Sequence, residues 1–416
     1  MAEGQDSLPA GRVSAWAGLG DVRLNGEGRN EEFAAELTAR QRTDPRSPVG
    51  VEGRVRPPQL RALTSIRFFA ALHVMLYHLV HPFGLWGPLA AFMSAGYAGV
   101  SFFFLLSGFL LTYAHAAETG VERGFVKRFY FARFARIYPL YFAALALSVY
   151  VNRDQLENPI HGVAVVADAL LVQTWSLRMV SFFNIPAWSV ASEAFFYAVF
   201  PFVFLRLRAA SRGRAVGGFA GFWVLAMVMP VVALIWFPAG AWQEGGGLFA
   251  FWVRRCPVLA LPEFLAGISL GWLWVDFRPK FARPGLVVML ASAALIGVLL
   301  FAGPLPTVML HNGLLLPLYA LIVIGLCAPS WVGRVLSWAP LVLLGEASYA
   351  LYLIHFTMEE WSSYYHHVPQ GLPQLVWKVP GLLAMSIGLY LVVERPARTW
   401  LLRWWNRRHP VPATAD

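Results

Sequence analysis

The chain has 416 residues, of which 58% are hydrophobic and 15% aromatic, but only 13% are charged, and its mean hydropathy is +0.55. A soluble domain carries about a quarter charged residues, so half that share over this length excludes an ordinary water-soluble protein and makes lipid the main solvent. A net charge of +10, from 33 Lys and Arg against 23 Asp and Glu, would point to nucleic acid only if the basic residues shared one solvated face; they sort by loop instead.

Residues 1–60 are rich in Gly, Arg and Glu with no continuous apolar run, which excludes a cleavable signal sequence and predicts a largely disordered cytosolic tail. Within it, Glu31 to Arg40 has the composition for a short amphipathic turn, or for nothing more than solvated chain. Eleven apolar segments follow, at 62–81, 97–115, 136–151, 160–176, 187–206, 217–237, 257–275, 284–301, 312–328, 338–357 and 375–394. Most are near the roughly 20 residues that a spanning helix requires.

If all eleven crossed, Arg206, Arg208, Arg212 and Arg214 would share a side with the uncharged loop 82–96, against the positive-inside rule. The segment that does not fit is 160–176, which is short, contains Asp168 and follows a polar stretch; it is expected to be re-entrant or to lie at the outer surface. Ten spans with both termini cytosolic then place 27 of the 33 Lys and Arg inside and four, Arg153, Arg178, Arg254 and Arg255, outside; Arg67 and Lys378 lie within spans. The fold class is therefore all-α, a polytopic membrane protein with its transmembrane domain at 61–397 and a short basic cytosolic tail at 398–416. Cys256 and Cys327 fall near opposite faces, so no disulfide framework is expected.

An ionisable side chain at mid-membrane costs about 2.5–3.5 kcal/mol on insertion scales, so each needs an explanation. Arg67 and His78 are eleven residues apart, about 20° past three full turns, which puts them on one face of the first helix about 16 Å apart. His73 points about 120° away from Arg67. Depth counted from helix ends places Glu193, Glu263 and His355 near the level of His78, an outer-half cluster suited to proton transfer. Glu193 and Glu263 have a second reading, as interhelical partners for Trp, Tyr or Arg.

Arg133 and Arg136 are i, i+3 on a short interfacial helix, where their guanidinium groups either grip phosphates or anchor on membrane lipid headgroups. Ser107 sits in Leu-Ser-Gly-Phe without the flanking glycines of a nucleophile elbow, so it is expected to hydrogen-bond within the bundle. No cysteine or histidine spacing suits a metal, and no dinucleotide or Walker fingerprint occurs.

Several segments are familiar together. Arg67 through His78 resembles the Arg/Lys-x10-His element of membrane acyltransferase family 3, the integral-membrane O-acyltransferases of bacterial glycans and antibiotics. Gly-Tyr-Ala-Gly-Val-Ser-Phe-Phe-Phe-Leu-Leu-Ser107-Gly108-Phe is similar to its second helix, and Arg133-Phe-Ala-Arg136-Ile-Tyr138-Pro139 to its cytosolic Arg-x-x-Arg element. Trp188-Ser-Val-Ala-Ser-Glu193-Ala-Phe-Phe-Tyr197, Glu263-Phe-Leu-Ala-Gly267, the run from Gly345 to His355, and Glu394-Arg-Pro396 complete the series in family order.

The resemblance implies ten transmembrane helices in a bacterial cytoplasmic membrane and transfer of an acyl group, commonly acetyl from acetyl-CoA, to a hydroxyl. It implies that His78 serves the transfer step, with Glu193 and Arg67 beside it in the catalytic set, and that Arg133, Arg136 and Arg67 lie near acyl-CoA. The expected partners are acyl-CoA, a glycan or glycosylated acceptor and membrane lipid, with no nucleic acid and no metal. The long N-terminal tail departs from the family pattern, and an extracytoplasmic domain fused in some relatives is not present in this sequence. The alternative is a transporter or flippase, because buried His, Glu and Arg also line substrate and proton paths.

Overall fold

The computed structural model describes residues 59–80, 87–180, 182–236, 254–366 and 374–409. Among them every regular element is helical, as composition and the spacing of apolar segments predict. The expected tail at 1–60, including 31–40, lies almost wholly outside the described residues.

The first helix, α1 (Arg61–Val80), is followed by α2 (Gly87–Ser94) and α3 (Gly99–Ala114), which together form one run long enough to cross a membrane. Helix α4 runs unbroken from Arg123 to Val151. The sequence predicts an interfacial helix ahead of a span; the structure joins the two, so Arg133 and Arg136 are carried into the bundle. Helix α5 (Pro159–Ala169) has only 11 residues, about 16 Å or half the hydrocarbon thickness. Its Asp168 is buried, and burial raises the carboxyl to about 7.

Helices α6 (Trp188–Val203), α7 (Arg212–Trp236), α8 (Pro257–Phe277) and α9 (Pro284–Leu300) come next. The short α10 (Thr307–His311) leads through Asn312 and Gly313 into α11 (Leu316–Cys327). After α12 (Trp331–Leu336), helices α13 (Ala339–Glu346) and α14 (Ser348–His366) meet at a 56° bend. Helix α15 (Leu375–Leu389) passes through a π turn at Tyr390–Glu394 into α16 (Arg395–Arg408). Part of the stretch read as a basic tail is thus helical, with Trp405 stacked on Phe131 of α4 at 4.3 Å.

Among the described residues seven helical runs are long and apolar enough to cross a membrane, or eight if the bent pair is one span. That is fewer than the ten expected. The apolar segments at 187–206 and 284–301 overrun the helices they contain: α6 stops at Val203 and α9 at Leu300, leaving 16 and 17 residues. At 1.5 Å per residue these reach about 24–26 Å, short of the ~30 Å core. Helix α7 shows what the outside of the bundle meets, because Val224, Leu225, Val228, Ile235 and Trp236 are all exposed. Such a surface belongs against lipid.

Glycines set the centre of the bundle. Gly108 of α3 lies against the backbone of Phe264, Gly267 and Ile268, and Gly267 of α8 against that of Leu105 and Phe109. Small residues let the two backbones touch, which replaces the hydrophobic drive that is missing in lipid with close packing. Farther along, Arg208 grips Asp276 through two hydrogen bonds of 2.9 and 2.7 Å while lying over Trp272, tying the chain beyond α6 to α8. Arg136 pairs with Glu394, fixing the π turn against α4.

Gly267→Val is expected to force α3 and α8 apart at a cost of about 3 kcal/mol or more. Gly297→Val on α9, where an added Cβ meets nothing within 4 Å, should change stability by less than about 0.5 kcal/mol. The monodisperse fraction and melting temperature of the two variants in detergent check this difference.

Candidate active site

Two cavities open along α1. The first, of about 160 Å³, is lined by Arg67, Arg133 and Arg136 together with Ser107, Glu193, Tyr197, Ser189, Tyr349 and Tyr352. The second, of about 210 Å³, is lined by His78 with Tyr77, Tyr97, Trp188, Arg254, Arg255, His311 and Tyr352. Arg67 and His78 thus face cavities from one side of α1, as the helical period requires. Tyr352 of α14 and the start of α6 separate them.

The three arginines of the first cavity are not equivalent. Arg136 is committed to Glu394, which is only 2% exposed, and lies over the Tyr349 ring at 5.5 Å. Arg133 lies over the rings of Phe129 and Tyr197 at 5.6 and 5.7 Å, and its buried Nε has no hydrogen-bond partner. A buried guanidinium N–H without an acceptor is costly, so an anionic guest would find a ready donor here. Glu193 accepts hydrogen bonds from Ser107 at 2.9 Å and from Tyr197 at 2.5 Å. Ser107 therefore bonds within the bundle, as its sequence context predicts.

Behind the second cavity His78 meets the buried imidazole of His355, with Nδ1 of the first 3.1 Å from Nε2 of the second. Each ring also has Nδ1 on the carbonyl one helical turn back: His78 on Val74 at 3.0 Å and His355 on Leu351 at 3.2 Å. A carbonyl only accepts, so both rings carry their proton on Nδ1. His355 then presents Nε2 as an acceptor to the His78 N–H, and the lone pair of His78 is on its own Nε2. An imidazole with its lone pair on one nitrogen and a backed N–H on the other is the form that a general base needs.

The expected outer-half cluster of His78, Glu193, Glu263 and His355 is only half formed. Glu193 lines the arginine cavity, and Glu263 accepts from Ser101 at 2.9 Å and from the backbone N–H of Gly313 at 2.7 Å. Counting depth from helix ends failed because α6 does not begin at the end of the bundle. The 3₁₀ turn Ile185–Ala187 and Trp188 already sit at the His78 cavity, and Glu193, five residues on, is about 7.5 Å deeper. Glu263 holds the break between α10 and α11, where Gly313 has φ +82°. It thereby fixes His311, whose ring stacks on Tyr97 at 5.1 Å and lies near Trp188 at 5.7 Å.

His73 lies away from both cavities, bonded to the Phe92 carbonyl at 2.7 Å and stacked on its ring. His311, Arg254, Arg255 and Tyr352 are the cavity residues that sequence reasoning passed over. For the arginines a signal existed: two of only four basic residues expected outside are adjacent. Among the described residues no three His, Cys, Asp or Glu side chains gather as a metal site would need.

The model of the acyltransferase domain of family 3 matches residues 60–395. The acyltransferase MdmB of Streptomyces mycarofaciens is 30% identical over 397 residues, covering 87% of this chain and 96% of its own length. The O-acetyltransferase OatA of Staphylococcus aureus is 25% identical over 367 residues, covering 82% of this chain but 58% of its own length. This chain thus spans little more than half of the staphylococcal relative. No solved structure matches. With a family match across both cavities and relatives that are acyltransferases by name, the transporter alternative finds no counterpart here, and the chain belongs to acyltransferase family 3, the membrane O-acyltransferases.

Proposed function

We propose that the protein moves an acyl group, in the first instance acetyl, from acyl-CoA to a hydroxyl of a saccharide-containing acceptor. It would do so in a bacterial cytoplasmic membrane, with ten crossings and both termini in the cytosol. The acceptor would be an exopolysaccharide, a cell-envelope glycan or a glycosylated natural product. The observation that carries this reading is the pairing of an arginine cavity and a histidine cavity along one face of α1 with Tyr352 as their common wall. The charge asymmetry of 27 inside against four outside supports the crossings, with α6 and α9 as the short spans.

In this reading Arg133 and Arg67 hold phosphate or carbonyl oxygens of the donor from the cytosolic end. Arg136, tied to Glu394, keeps the wall of that cavity in place. Glu193 positions Ser107 and Tyr197 beside Arg67, a different task from tuning His78. At the other end, His78 Nε2 removes the proton of the acceptor hydroxyl as its oxygen attacks the thioester carbonyl. His355 Nε2 accepts from the Nδ1–H of the resulting imidazolium, a charge-assisted hydrogen bond stronger than the resting one. As the carbon–sulfur bond breaks, the proton passes from His78 to the leaving thiolate and the base is restored.

His78→Gln keeps polarity and much of the volume but cannot take up a proton, so transfer should fall by about 10² to 10⁴ with insertion intact. His73→Gln, on the far face, should leave it within about twofold. Acyl transfer in membranes, normalised to inserted protein, checks the pair; near-normal turnover of the His78 variant, or equal loss in both, contradicts the assignment.

Arg133→Lys keeps the charge and loses the planar fork. It should raise the apparent KM for acyl-CoA by roughly 10-fold or more, the worth of a hydrogen bond to a charged group, with kcat little changed. An unchanged KM would instead make Arg133 a lipid anchor.

A further inference from the structure

We propose that Tyr352 is a catalytic residue whose hydroxyl donates a hydrogen bond to the thioester carbonyl of the acyl donor, and that Ser189 releases it to do so. The assignment rests on the donor and base cavities of the proposed function and adds to them the group that stabilises the negative charge built up between them.

Position is the first support. Tyr352 lines both the arginine cavity and the His78 cavity, and Ser189 lines the first while its neighbour Trp188 lines the second. An acyl group held from the arginine end and attacked from the histidine end must have its carbonyl at that boundary. Tyr352 is also close to the base: its ring lies 5.9 Å from that of His355, which is 5.0 Å from that of His78.

The second support is a count of hydrogens. Tyr352 Oη lies 2.7 Å from Ser189 Oγ and 3.0 Å from the carbonyl of Pro186, and Ser189 Oγ lies 3.1 Å from that same carbonyl. Two hydroxyl protons therefore serve three contacts. When Ser189 donates to Pro186, that carbonyl remains satisfied and the tyrosine proton is redundant there. Turning the Tyr352 O–H toward a carbonyl arriving in the cavity moves one hydrogen and leaves no buried group orphaned. The ring itself is held edge-on by Phe103 at 6.1 Å and is buried. A donor whose ring is fixed, and which needs only the turn of one hydroxyl hydrogen, costs little reorganisation at an oxyanion site.

The step balances as follows. The acceptor oxygen forms a bond to the carbonyl carbon while its proton goes to His78 Nε2, and the carbonyl oxygen gains negative charge against the Tyr352 O–H. Collapse expels the CoA thiolate, which takes the proton from His78, and the Tyr352 hydrogen bond relaxes to Ser189 or Pro186.

The test compares Tyr352→Phe, Ser189→Ala and the double variant in nanodiscs, measuring acetyl-CoA binding directly and CoA release with and without a cell extract that supplies the acceptor. Tyr352→Phe should bind acetyl-CoA within twofold of wild type and lose roughly 10²- to 10³-fold in transfer. Ser189→Ala should lose roughly fivefold, because Pro186 then competes for the tyrosine proton, and should lose nothing further when added to Tyr352→Phe. Transfer within threefold of wild type in Tyr352→Phe overturns the assignment. So does a loss matched by weaker acetyl-CoA binding, which is a structural role, or faster CoA release without acceptor, which is a gate. If wild type itself does not bind acetyl-CoA, the donor reading falls first and this assignment falls with it.

Discussion

A helix turns 100° and rises 1.5 Å per residue, and that period puts Arg67 and His78 on one face of α1 about 16 Å apart. The rest of the site is arranged on that spacing. Helices α3, α4, α6 and α14 each send side chains to the arginine end, and the starts of α3 and α6, α10 and the arginines just ahead of α8 close the histidine end. One helix therefore carries both an arginine and the proposed base, and a different register along α1 would bring them to different faces.

Low dielectric makes buried charged groups costly unless they are met. Glu263 is met by a hydroxyl and a backbone N–H, Glu193 by two hydroxyls, and Lys378 by both oxygens of Glu359 at 2.9 and 3.0 Å. Arg208 has Asp276, and Arg136 has Glu394. The buried Nε of Arg133 has no hydrogen-bond partner, because its neighbours are aromatic faces that attract a cation but accept no conventional hydrogen bond. The helix breaks also fall at the site. Gly313 frees the backbone between α10 and α11 beside His311, and Ala347 marks the bend ahead of Tyr352 and His355.

The helical class and the co-facial Arg67 and His78 were legible because both follow from local period and composition. The pairing of His78 with His355 was half legible: depth counting placed them at one level, but contact depends on the 56° bend between α13 and α14. Glu193 was misplaced for a related reason, since the irregular chain before Trp188 enters the bundle and shifts the whole of α6. Crossing number is less legible, because apolar composition continues past Val203 into turns and hydropathy does not register where a helix stops: seven or eight described helical runs are long enough to span, and α6 and α9 fall short. Tyr352 and Ser189 lie inside motifs that the sequence shows but carried no role there: a tyrosine and a serine in spanning helices are common, and the three-way contact with Pro186 is what distinguishes them.

The most direct measurement is a cryo-electron microscopy structure of the full chain in nanodiscs with a non-hydrolysable acetyl-CoA analogue. The account predicts phosphate density beside Arg133 and Arg67, with the acetyl carbonyl at the boundary formed by Tyr352, on the His78 side of the arginine cavity. Phosphates against Arg254 and Arg255, or an acetyl group that stays outside both cavities, would contradict it.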